Sequence, residues 1–238
     1  LWKNYKFACD CVLCKDVTKD DDLVGLKCAT EGCKGRVRSI STVAESASLG
    51  IEGSNEKEKT RHSYQCDSCG NTSFDAALKI QADSTVRMKR LESMITNCNT
   101  LHKDAVEECL QIYELLKRHC DLKQSYYIAW SADLFVSFCA NALKFCANEE
   151  ERMSLCHKAL VVLNESRPAT KFCMEYVGNL SWHIKRGTEA KLRLFVNPMD
   201  LEALGMLRNV KKEMLVFFPS NDEMVLSLDE SIATYSFS

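Results

Sequence analysis

Residues 123–147, KQSYYIAWSADLFVSFCANALKFCA, carry Tyr127, Trp130, Leu134, Phe135, Phe138, Cys139, Leu143 and Cys146 around much of a helical circumference. A helix that is apolar over most of its surface has to be enclosed by other helices. This segment therefore predicts the interior member of a helical stack, and with it a mainly α fold.

The flanking segments supply its neighbours. Upstream, Ala105, Cys109, Ile112, Leu115, Leu116 and His119 recur at helical spacing over about Lys103 to Cys120. Before that, a helix from about Asp83 uses Val86, Met88, Leu91, Met94 and Ile95, with Ser84 and Thr85 as candidate caps. Downstream, a helix opens near Glu149 with acids in its first turn, where the helix dipole favours them, and carries Met153, Cys156, Leu160 and Leu163 up to a break at Pro168. The next runs from Ala169 to Arg186 on Phe172, Tyr176, Val177, Leu180 and Ile184, with Gly187 as its C-terminal cap. One or two more span Leu201 to Phe218, closed by Pro219, and a weakly patterned polar tail follows from Ser220. Helix pairs of this length joined by short turns predict a tetratricopeptide-like antiparallel array, although the strict repeat consensus is not visible.

Composition agrees with that reading. The chain has 238 residues, 46% hydrophobic and 27% charged, with only 9 Gly and 3 Pro, which suits long uninterrupted helices. A formal charge of −2 argues against a surface that grips nucleic acid over its whole extent. No apolar run approaches the roughly 18–20 residues that span a bilayer, so no membrane partner is expected. Of the 14 cysteines, half fall inside apolar helical patterns and no signal-peptide pattern is present, which predicts a reducing compartment. Cys98, Cys109, Cys120, Cys139, Cys146, Cys156 and Cys173 are expected to pack as small buried hydrophobes. His119 beside Cys120 and His157 beside Cys156 are not expected to pair as base and nucleophile, because adjacent helical side chains diverge.

The other seven cysteines lie before the helices. Leu23 to Leu26 reads as a short strand feeding the knuckle Cys28-Ala29-Thr30-Glu31-Gly32-Cys33-Lys34-Gly35, and Tyr64 to Gly70 as a strand feeding Cys66-Asp67-Ser68-Cys69-Gly70. A C-x4-C and a C-x2-C knuckle, each with a following glycine that lets backbone amides turn toward the thiolates, predict one four-cysteine zinc ribbon made by Cys28, Cys33, Cys66 and Cys69. The charged run from Glu52 to Arg61, between the knuckles, reads as a solvated loop. Lys27, Lys34, Arg36 and Arg38 beside the first knuckle suggest nucleic-acid binding only weakly. At the N-terminus Cys9, Cys11 and Cys14 form C-x-C-x-x-C, three thiolate donors that need a fourth to complete a zinc site.

The segment from Leu1-Trp2-Lys3-Asn4-Tyr5-Lys6-Phe7 to Cys9-Asp10-Cys11-Val12-Leu13-Cys14 resembles the post-SET segment of the SMYD family, the SET-and-MYND protein-lysine methyltransferases. The helices, down to Tyr176-Val177-Gly178-Asn179-Leu180-Ser181-Trp182-His183 and on to Gly187, are similar to that family's C-terminal domain. The resemblance implies that a cysteine of a SET core upstream of these residues is the fourth ligand of Cys9, Cys11 and Cys14. It implies that Tyr5 lines the channel of the substrate lysine and that Phe7 packs on the adenine of S-adenosylmethionine. It further implies methyl transfer to a lysine of a histone or other protein, a helical domain that closes over the active site and can dock a chaperone, and a nuclear or cytoplasmic location. Many members pass straight from the post-SET cysteines into helices, so the ribbon is a departure.

No Asn-His-Ser-Cys cofactor sequence, MYND cluster, serine elbow, phosphate loop or dinucleotide turn lies in these residues, so catalysis by them alone is not expected. The resulting organisation is a post-SET segment over 1–20, a zinc-ribbon-like module over 21–82, a helical domain over 83–220 and a polar tail over 221–238. The alternative is a non-catalytic adaptor in which zinc module and helical stack recognise protein partners.

Overall fold

The computed structural model describes residues 24–41, 62–97, 103–177 and 180–236. Tyr5, Phe7, Cys9, Cys11, Cys14, Cys98 and the charged run from Glu52 to Arg61 lie outside them. A two-stranded antiparallel sheet, β1 (Val37–Ser41) and β2 (His62–Cys66), precedes seven helices among the described residues. These are α1 (Asp75–Asn97), α2 (Lys103–His119), α3 (Tyr126–Ala142), α4 (Glu149–Val177), α5 (Leu180–Val196), α6 (Leu201–Met214) and α7 (Glu223–Ser236).

α3 is the enclosed helix that its sequence demands. It packs between α2 and α4 and also meets α1, and Ile128, Phe135 and Cys139 are fully buried. Each later helix packs mainly on its chain neighbours, so the helices form a sequential array. One apolar core joins α1 to α4, with Leu192 of α5 at its edge. A second, built on Leu194, Leu207, Val210, Met214, Val225 and Leu228, joins α5, α6 and α7. Partly buried polar ties cross between helices at defined places. Glu165 of α4 accepts from Lys117 at 2.7 Å and from Tyr113 at 3.1 Å, and Lys185 of α5 reaches Asp133 of α3 at 2.7 Å.

Several boundaries differ from the sequence reading. α1 begins at Asp75, because Ala77 and Gln81 already share its buried side. Thr85, expected as a cap, sits mid-helix and donates to the Gln81 carbonyl at 2.8 Å. α3 starts at Tyr126 and ends at Ala142 in a short 3₁₀ turn, Leu143–Phe145. α4 continues through Pro168, since Ala159, Val162, Leu163, Ser166, Ala169, Thr170 and Cys173 form one buried stripe on both sides of it. α5 likewise continues past Gly187 to Val196. The tail read as polar and weakly patterned contains α7, which buries Val225 and Leu228 and packs Ile232 and Tyr235 against the second core. Among the described residues, no helix is long and apolar enough to cross a membrane.

Candidate metal centre

Two turns and one hairpin bring four sulfurs together. Val37 pairs with Cys66 in the β1–β2 register, which places the end of β2 beside the backbone that leaves the first knuckle. The first knuckle closes through the Cys33 amide on the Thr30 carbonyl at 3.1 Å, with Gly32 at φ +74. The second closes through the Gly70 amide on the Cys66 carbonyl at 3.0 Å, with Gly70 at φ +72. Arg36 and Asp67 bind the two turns to each other: the Asp67 amide donates to the Arg36 carbonyl at 2.9 Å and the Arg36 amide to Asp67 Oδ1 at 2.8 Å. The short strand expected over Leu23 to Leu26 is reduced to isolated bridges, Leu26 with Cys120 and Lys27 with Arg36, and the hairpin strand β1 lies after the first knuckle instead.

The sulfurs of Cys28, Cys33, Cys66 and Cys69 all lie within 4.8 Å of one another. Cys28 and Cys69 are 3.5 Å apart and Cys33 and Cys66 3.6 Å. A disulfide requires about 2.05 Å, and all four thiols are free. A tetrahedral ion held at about 2.3 Å from four thiolates places its ligands about 3.8 Å apart. The cluster matches that spacing and can hold such an ion.

The electrostatics ask for a cation. The Thr30 hydroxyl, 3.5 Å from Cys69 Sγ, and then the Asn71 amide hold the Cys69 thiol down to about 6. Thr30 also lowers Cys28. At Cys33 the largest influence is the Gly35 amide, which donates to its sulfur at 3.4 Å and favours the thiolate. The neighbouring thiols and burial outweigh it, and Cys33 is pushed up to about 12. The cluster therefore sets a readily formed thiolate at Cys69 beside a thiol at Cys33 that resists ionising. A divalent ion at the centre supplies the charge that lets all four ionise.

The module is fastened to the helical body by residues that no motif announces. The Val24 carbonyl accepts from Gln81 at 3.1 Å and from Ser125 Oγ at 3.2 Å. Gln81 is buried and also reaches Cys120 Sγ at 3.2 Å. The Lys27 amide donates to the His119 carbonyl at 2.9 Å, and the Asp121 amide to the Gly25 carbonyl at 2.7 Å. Gly25 has φ +56, and a Cβ there would lie 2.7 Å from Ser125 Cα, so only glycine allows this approach. Leu26, Cys28, Val37, Cys66, Phe74 and Ala77 form a small third core under the sulfurs.

The remaining described cysteines, Cys109, Cys120, Cys139, Cys146, Cys156 and Cys173, are all buried. Burial pushes Cys109 up to about 12 and Cys156 and Cys173 to about 11, which suits packing rather than nucleophilic work. No family model, curated protein or solved structure matches the chain.

Proposed function

We propose that this chain is the C-terminal, regulatory and partner-binding part of a SMYD-like protein-lysine methyltransferase, with zinc at Cys28, Cys33, Cys66 and Cys69 and a tetratricopeptide-like helical array. The reading rests first on the resemblance of the segment with Tyr5, Phe7, Cys9, Cys11 and Cys14 to a post-SET segment. The structural observation that supports it is the pinning of Val24 by Gln81 and Ser125. At most roughly 36 Å of extended chain separates Cys14 from that point. Whatever the post-SET cysteines bind is thus tethered close to the helical body, as a domain that closes over an active site requires.

In this reading S-adenosylmethionine supplies the methyl group and Phe7 offers a flat ring to its adenine. Tyr5 offers an aromatic wall to the lysine side chain of a histone or other protein substrate. The helical array presents the surface for a protein partner such as a chaperone. The decisive test is the coding sequence upstream of Leu1. A SET core with an unpaired cysteine is expected there, and in that longer protein Phe7→Ala should raise the KM for S-adenosylmethionine. Absence of a SET core, or an unchanged KM, overturns the enzyme reading.

The second reading, a non-catalytic adaptor, is favoured by the way ribbon and helices join into one packed body through Gln81, Ser125 and Gly25. It is the reading that survives if no SET core precedes the chain.

A further inference from the structure

α5, α6 and α7 surround a cavity of about 330 Å³. Ile184, Val210, Met214, Met224 and Leu228 give it an apolar wall, and Lys191 and Ser227 stand at the same wall. Two features of this cavity cost stability.

The first is Gly187. It lies in the interior of α5, where only proline is a worse helix former, and its φ is not positive. A Cβ at Gly187 would lie 3.5 Å from Leu228 Cδ2 and 3.5 Å from Val210 Cγ1, which is ordinary van der Waals contact. Neither backbone conformation nor packing requires glycine there, and alanine would narrow the cavity.

The second is Lys191. Its ammonium donates to Ser227 Oγ at 2.9 Å, and no carboxylate pairs with it among the described residues. Burial pushes its ammonium below the usual lysine range, and Glu230 opposes that only at longer reach. The other titratable groups lining the cavity are Glu223 and His183, and His183 Nδ1 lies 2.7 Å from a carboxylate oxygen of Glu213. A half-buried cation with no carboxylate in contact, beside an apolar cavity floored by a dispensable glycine, is the pattern of a binding site rather than of a core.

We propose that this cavity binds a small molecule with an aliphatic body and one anionic head, a monocarboxylate. The body lies along Ile184, Val210, Met214, Met224 and Leu228, and the head accepts from the Lys191 ammonium and the Ser227 hydroxyl. The volume is roughly twice that of an apolar cavity of about 150 Å³ that takes benzene, which is room for a chain of medium length. The site is remote in sequence from the cysteine cluster and does not depend on the function proposed above.

Calorimetric titration of the full chain at pH 7 with octanoate, octan-1-ol and octylamine tests it, because the three share a tail and differ in the head. Octanoate should bind about tenfold or more tighter than octanol, since a hydrogen bond to a charged group is at stake, and octylamine should be weaker still. Lys191→Met should abolish the preference for octanoate over octanol while tail binding persists. Gly187→Ala should weaken octanoate and raise the melting temperature by about 2–4 °C. Equal affinity for the three heads overturns the proposal. So does the absence of octanoate binding at millimolar concentration, a preference that survives Lys191→Met, or a Gly187→Ala protein that melts lower.

Discussion

A methyl group added at Gly35 would come within 2.6 Å of Ser68 Cβ and would press on the sulfur of Cys66. Both atoms belong to the second knuckle, which cannot move without opening the sulfur cluster. Gly32 makes a useful contrast: its φ of +74 disfavours a side chain, yet nothing lies within 4 Å of where a Cβ would be. Gly35→Ala should therefore lower both the melting temperature and the metal retained after gel filtration. Gly32→Ala should cost about 1–2 kcal/mol of backbone strain and keep its metal. The cysteine partners were legible from spacing alone, because a knuckle is a local object whose ligands and glycines sit within a few residues of each other. Gly25 and Gln81 were not legible. Their partners, Ser125 and Val24, are far away in sequence, and a lone glycine or glutamine carries no periodic signal.

At the scale of elements, proline and glycine misled where burial is strong. Pro168 was read as a break, but the stripe from Ala159 to Cys173 continues across it and its burial outweighs the lost backbone hydrogen bond. Pro168→Ala should restore that bond without altering the fold. Urea unfolding should show a gain of up to ~3 kcal/mol, and a loss would mean that the proline sets a bend the packing needs. α7 was missed although Asp222 Oδ1 accepts from the Met224 amide at 2.9 Å and Val225, Leu228, Ile232 and Tyr235 share one face. Its exposed Met224 and Leu226 blur that periodicity. The start of α6, by contrast, was read correctly, and Asp200 caps it by accepting from the Ala203 amide at 2.9 Å. That amide and then Arg193 hold the Asp200 carboxyl below its usual range. A carboxylate lowered on folding stabilises fully above its ordinary value of about 3.9 and loses that contribution as pH falls through the folded value. Asp200→Ala should cost about 1 kcal/mol at pH 7, and thermal melts of variant and parent should converge in strong acid.

For the whole molecule, the metal module and the helical array are coupled through the short stretch from Val24 to Cys28. Structural zinc contributes apparent binding energies of ~10–16 kcal/mol in small domains, and an ion bound by the four sulfurs would hold the knuckles, which the preceding backbone joins to His119 and Asp121 at the α2–α3 corner. Chelation should therefore increase amide exchange at Lys27 and Asp121 as well as at the knuckles. Protection that is lost at the knuckles but unchanged at Asp121 would show the two parts to be independent. X-ray absorption at the zinc edge tests the account most directly, on protein prepared without chelator and with Cys9, Cys11 and Cys14 changed to serine to isolate this centre. One zinc per chain with four sulfurs at about 2.3 Å is the predicted result; a chain without zinc, or a shell containing nitrogen or oxygen, would contradict it.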